Sequence, residues 1–126
     1  MKKRESLLWQ RIKKLKLKGQ IFRIESNTIN GIPDVYWLLN GQSIWVELKS
    51  NNIKNCGLSK FQINWHNNHF KNGGRSFILQ RDASLRQLKL FELRGSRVVK
   101  ILAEGIDDNG TLELHFDCMR WHCEKN

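Results

Sequence analysis

Proline is nearly absent from this chain. Pro33 is the only one in 126 residues, and no linker, internal repeat or low-complexity segment interrupts the sequence. A string of modules joined by spacers is thereby excluded. Long apolar runs are missing too. None approaches the roughly 20 residues that a membrane-spanning helix needs, so no membrane partner is expected. The basic start Met1-Lys2-Lys3-Arg4 has no apolar signal core behind it, so the chain reads as cytoplasmic rather than secreted. Cysteine is scarce and odd in number. Cys56, Cys118 and Cys123 suit reduced thiols better than a disulfide framework. Cys118, His122 and Cys123 lie close together, but their spacing matches no common zinc pattern and no fourth ligand is evident. They read as scattered residues, not ligands. Acids are few as well: 12 Asp and Glu against 22 Lys and Arg, for a net charge of +10.

That excess selects a polyanionic partner without naming an activity. It is uneven. The first twenty residues hold Lys2, Lys3, Arg4, Arg11, Lys13, Lys14, Lys16 and Lys18 against one acid, Glu5. A hydrophobic content of 40% suits one globular domain over residues 1–126 and argues against disorder.

The apolar pattern predicts an α/β or α+β domain on a mixed sheet flanked by helices. Leu8, Trp9, Ile12 and Leu15 share a helical face, which predicts a helix from Glu5 to Lys18. Its lysines Lys13, Lys14 and Lys16 are candidate contacts to a nucleic-acid backbone. Ile21 to Glu25 reads as a strand. Ser59 to Gln62 fits a capping box opening a helix that runs to about Lys71. Ser76 to Gln80 reads as a strand, Ser84 to Leu93 as a third helix ended by Gly95, and Val98 to Leu102 as a strand. Asp108-Asn109-Gly110 reads as a turn before a last strand, Thr111 to Phe116. His66 and His69 lack the i, i+4 spacing of a helical metal pair and read as facing solvent or DNA. Tyr36 and Trp45 read as core, with nucleotide stacking the alternative.

The most informative stretch lies between Gly31 and Lys49. Asn40-Gly41 joins two strand-like runs, Val35 to Leu39 and Ser43 to Leu48, and is a strong signal for a two-residue hairpin turn. With those two residues as the turn, Leu39 faces Gln42, Leu38 faces Ser43, and so on down to Asp34 facing Glu47. Opposed side chains in such a ladder have Cβ atoms about 4.5–5.5 Å apart. Two carboxylates there repel unless a cation lies between them. Lys49, two residues past Glu47, points to the same face. Two acids and a lysine so placed suit metal-dependent phosphodiester hydrolysis, where a divalent ion with oxygen ligands activates water.

Pro33-Asp34 and Glu47-Leu48-Lys49 resemble the two-part signature of the PD-(D/E)XK nuclease superfamily. The fuller set of Gly31-Ile32-Pro33-Asp34, Glu47-Leu48-Lys49 and Gln62 behind Ser59 is similar to the virus-type replication-repair nuclease domain, VRR-NUC, over roughly Glu5 to Gln80. The resemblance implies a restriction-endonuclease-like core. It implies a Mg²⁺ or Mn²⁺ ion held by Asp34, Glu47, the Leu48 carbonyl and Glu5. Lys49 would position or activate the attacking water, and Gln62 would assist. For Glu5 a plain helix-dipole role competes, and for Gln62 the capping box does. The resemblance further implies a homodimer that cuts branched DNA such as Holliday junctions, in a bacterial or phage-infected cell. Flap or repair cleavage, or a non-catalytic basic DNA-binding role, remain the alternatives.

Overall fold

The computed structural model describes residues 3–26 and 28–124. Met1 and Lys2 of the basic start, and Asn27 of the polar connection before Gly31, lie outside them. The elements run α1 (Lys3–Lys14), β1 (Gln20–Arg23), β2 (Val35–Leu39), β3 (Gln42–Lys49), a short 3-10 turn (Lys54–Gly57), α2 (Lys60–Lys71), β4 (Ser76–Asp82), β5 (Gln87–Arg94), β6 (Arg97–Ile106) and α3 (Asn109–Glu124). The strands form one six-stranded mixed sheet in sequence order. Only β3 and β4 are parallel neighbours; the other pairs are antiparallel. A parallel pair needs a crossover, and α2 supplies it.

Alternation along the strands sorts the two faces. Val35, Trp37 and Leu39 of β2 and Ile44, Val46 and Leu48 of β3 are buried. With Phe77, Leu79, Leu88 and Leu90 they form the floor on which Leu8, Trp9 and Ile12 of α1 and Leu112, Phe116 and Met119 of α3 pack. Each such side chain, fully buried, contributes about 1.5–3 kcal/mol. α2 lies against the opposite face, where Trp65 meets Trp45 with ring centroids 5.2 Å apart. The sheet is thus covered on both sides, with the hairpin acids on the α2 side.

Several expectations need correction. Ser84 to Leu93 is not a helix. Asp82 Oδ1 accepts the Ser84 and Leu85 N–H groups, turning the chain so that β5 can start at Gln87. Leu88 and Leu90 then point to the core at a period of two, while Leu85, which a helix would have buried with Leu88, is 63% exposed. Gly95 and Ser96, with φ of 53° and 72°, form the tight turn into β6 rather than a helix stop. Thr111 to Phe116 is not a strand but the start of α3. Asp108 Oδ1 accepts the Thr111 N–H at 2.7 Å, so the expected turn is a helix cap. Leu112, His115, Phe116 and Met119 are buried at helical spacing while Leu114 is 56% exposed. α1 ends at Lys14, short of Lys18. Lys16 takes a φ of 51°, and the Lys18 carbonyl turns to accept the Trp37 indole N–H at 2.7 Å.

Candidate active site

Asn40 and Gly41 both have positive φ, 51° and 79°, as the primed hairpin turn requires. The resulting register runs from Leu39↔Gln42 to Val35↔Val46, and carried one step further it sets Asp34 opposite Glu47. The chain reaches Asp34 through Gly31, whose φ is +81°. A Cβ at Gly31 would lie 2.2 Å from the Phe61 carbonyl oxygen. Only glycine allows this approach, and it seats the hairpin entrance on the first turn of α2. Pro33 is buried, and the Asp34 carbonyl accepts the Ile24 N–H at 2.7 Å. The Asp34 backbone is therefore anchored to β1 through its carbonyl and follows a buried proline.

The two carboxyls are within hydrogen-bonding reach of each other. Asp34 Oδ2 also accepts the Leu48 N–H at 2.9 Å. Burial, the bond to Glu47 and its charge push the Asp34 carboxyl from 3.8 up to about 8. Glu47, only 2% exposed, is raised as well, chiefly by burial and further by the charge of Glu5. Lys49 acts the other way on both. In the absence of a cation the pair thus favours holding a proton. Glu47 Oε1 is buried and has no hydrogen-bond partner among the described residues.

Asp34, Glu47 and Lys49 therefore come together as expected. The N–H and C=O of one strand residue point to the same side, so the Leu48 carbonyl lies on the side of its N–H, toward Asp34. Glu5 sits close enough for its charge to act on Glu47. Among the described residues, no three His, Cys, Asp or Glu side chains gather as a ready-made cage. Gln62 lines a polar cleft of about 520 Å³ with Asp34, Arg23, Ser26, Asn30 and Ser59. It also completes the capping box: its Oε1 accepts the Ser59 N–H at 2.8 Å, and its own N–H donates to Ser59 Oγ at 3.2 Å. Lys13, Lys14 and Lys16 are exposed. Lys16 shares a hollow with Leu39 at the turn end of β2, roughly 17 Å along the strand from Asp34.

Sequence reasoning misplaced His66. It is fully buried, not facing solvent or DNA, with Nδ1 2.5 Å from Ser76 Oγ and Nε2 3.9 Å from Glu47 Oε1. Burial lowers it to about 4, so it is neutral near pH 7. His69 is half-buried and stacks on Trp65 with centroids 4.8 Å apart. Arg23, in the cleft beside Asp34, was also overlooked; it pairs with exposed Glu25 at 2.9 Å. Tyr36 and Trp45 are half-buried against each other, centroids 4.7 Å apart. The Cys118 Sγ lies 3.4 Å from His122 Nδ1 within α3. A helical i, i+4 count from Gln62 places His66 on the same face of α2, the sequence signal that could have placed this histidine near the site.

No protein-family model matches the chain, and no curated protein matches it.

Proposed function

We propose that the chain is a divalent-metal-dependent endonuclease acting on DNA. The observation that carries this reading is the pair of facing carboxyls, Asp34 and Glu47. Two acids driven together under burial destabilise a fold unless something positive joins them. Their donors are all oxygen, with the Leu48 carbonyl on the same side, which suits Mg²⁺ or Mn²⁺. Glu47 Oε1 is buried and makes no hydrogen bond among the described residues, so the described protein groups alone do not satisfy the pair. Asp34, Glu47 and the Leu48 carbonyl would hold the ion, with Glu5 near enough to bear on it. When bound, the ion supplies Lewis acidity and a more acidic water.

The remaining roles belong to the chain itself. Lys49 presents a compact positive charge on the same face, suited to a phosphate oxygen or to orienting water. Gln62 borders the cleft while its side-chain oxygen caps α2. Arg23 borders the same cleft and can take a flanking phosphate. The exposed lysines Lys13, Lys14 and Lys16 contact the DNA backbone. The order α1-β1-β2-β3-α2-β4, with the acids on the hairpin and Gln62 on the following helix, supports the resemblance to the VRR-NUC domain. From that resemblance follow branched DNA such as Holliday junctions as substrate, and a homodimer that sets two sites on two strands. Charge alone would serve a non-catalytic binder; the facing acids favour the enzyme.

One assay decides. Junction, flap, single-stranded and duplex DNA are incubated with Mg²⁺, with Mn²⁺ and in EDTA. Cutting with metal, binding without cutting in EDTA, and loss of cutting in folded Glu47→Ala and Lys49→Ala support the nuclease. Cutting by Glu47→Ala, or no cutting of any substrate by the wild type, overturns it and leaves the binder.

A further inference from the structure

Behind the cleft, two buried polar atoms face each other with no hydrogen-bond partner among the described residues. Glu47 Oε1 and His66 Nε2 are 3.9 Å apart, and neither makes a hydrogen bond. An unsatisfied buried polar group costs roughly 1–3 kcal/mol, so two at one spot call for a reason. The other ring nitrogen supplies one. Nδ1 lies 2.5 Å from Ser76 Oγ. Ser76 opens β4 directly beside Trp45 of β3, and is itself buried. A serine hydroxyl has a single proton. If it is donated to Nδ1, the ring proton sits on Nε2 and points at Glu47. The other tautomer would set a nitrogen lone pair against a carboxylate.

We propose that His66 is a positioning residue for Glu47: Ser76 fixes the ring, Nε2–H takes up Oε1, and the second carboxylate oxygen is left for the divalent ion. The inference rests on the nuclease reading. It needs no proton transfer and no change of charge on the ring. A small closure of α2 onto β3, of the order of an ångström, brings 3.9 Å to an ordinary N–H···O distance of about 2.9 Å. Carboxylates that hold a metal are themselves oriented by hydrogen bonds, and loss of that outer partner typically costs about 10–100-fold in metal affinity or activity.

The test uses the full chain with His66→Ala, His66→Gln and Ser76→Ala. Three quantities are read: the Mg²⁺ concentration for half-maximal cleavage, Mn²⁺ binding by electron paramagnetic resonance, and DNA affinity in EDTA. His66→Ala should need at least about tenfold more Mg²⁺ and bind Mn²⁺ correspondingly more weakly, with DNA affinity in EDTA unchanged. His66→Gln, whose amide nitrogen can reach the Nε2 position, should recover most of the loss. Ser76→Ala, which frees the ring to turn, should lose severalfold. Wild-type metal dependence in a cooperatively melting His66→Ala overturns the inference, as does a glutamine no better than alanine. If His66→Ala fails to melt cooperatively, Ser76→Ala decides, and wild-type metal dependence there overturns it. A wild type that cuts while all variants match it removes only this inference. A wild type that neither binds Mn²⁺ nor cuts removes the nuclease reading and this with it.

Discussion

Replacing Asp34 with asparagine should make the metal-free protein more stable and insensitive to divalent metal. Burial beside Glu47 carries the Asp34 carboxyl from 3.8 to about 8. The folded chain therefore holds a proton that the unfolded chain releases above about pH 4. Between those values the folded state binds more protons, so stability falls as pH rises from about 4 to about 8 and then levels off. Glu47, raised in the same direction by burial, adds to the slope. Each pH unit is worth about 1.4 kcal/mol, which sets a ceiling of about 4 kcal/mol at pH 7. Water entering through the cleft and small relaxations screen the pair, leaving about 1–3 kcal/mol. Asparagine keeps an oxygen for the Leu48 N–H, offers Glu47 an amide donor and has no proton to lose. In EDTA at pH 7, Asp34→Asn should gain about 1–3 kcal/mol in urea denaturation, and the gain should widen from pH 5 to pH 8. Mn²⁺ should raise the wild-type midpoint, more at pH 8 than at pH 6, because ligation needs the ionised carboxyl. The variant should not respond. Equal stability of the two proteins in EDTA at every pH from 5 to 8 would refute the reasoning.

Gly31→Ala forces a Cβ against the Phe61 carbonyl oxygen at a φ of +81°; it should cost about 2–4 kcal/mol in urea denaturation and reduce cleavage by shifting Asp34 from Gln62. Arg75 bonds both oxygens of fully buried Glu92 and the His122 carbonyl of α3, so Arg75→Ala should lose about 3–5 kcal/mol. A midpoint within experimental error of wild type would show that Arg94, the second partner of Glu92, suffices alone. Replacing Lys13, Lys14 and Lys16 with glutamine should weaken binding to all DNA forms alike and flatten the salt dependence on duplex DNA by about 0.9 per lost contact; an unchanged slope places the DNA path elsewhere. Ca²⁺ should support DNA binding with little cutting, since its looser coordination orients water poorly; cleavage as fast as with Mg²⁺ would contradict an ordered metal site.

The parts legible in the sequence are those held by neighbours a few residues apart. Asn40-Gly41 accepts positive φ, and that local fact sets the whole β2–β3 register, including Asp34 against Glu47 and Lys49 on their face. Ser59 and Gln62 bond each other's backbone across three residues, so the start of α2 could be read directly. The alternating faces of β2 and β3 followed from a period of two. Where local cues were ambiguous, the chain's neighbours decided. Gln87–Arg94 carries leucines compatible with either period, and pairing with β4 on one side and β6 on the other makes it a strand. Thr111 to Phe116 alternates like a strand, yet the Asp108 cap and the apolar floor beneath Leu112, Phe116 and Met119 make it a helix. His66 could be placed on α2 from the sequence, but its burial could not. Its partners, Ser76 and Glu47, come from two different strands and meet it only when α2 crosses the sheet. Turn dihedrals and caps are set by bonds within one or two turns of chain, so the sequence by itself determined the hairpin and its facing acids. The burial that raises Asp34 and Glu47, neutralises His66 and leaves Glu47 Oε1 without a hydrogen bond among the described residues comes from layers packed across long separations, and only the tertiary structure decided it.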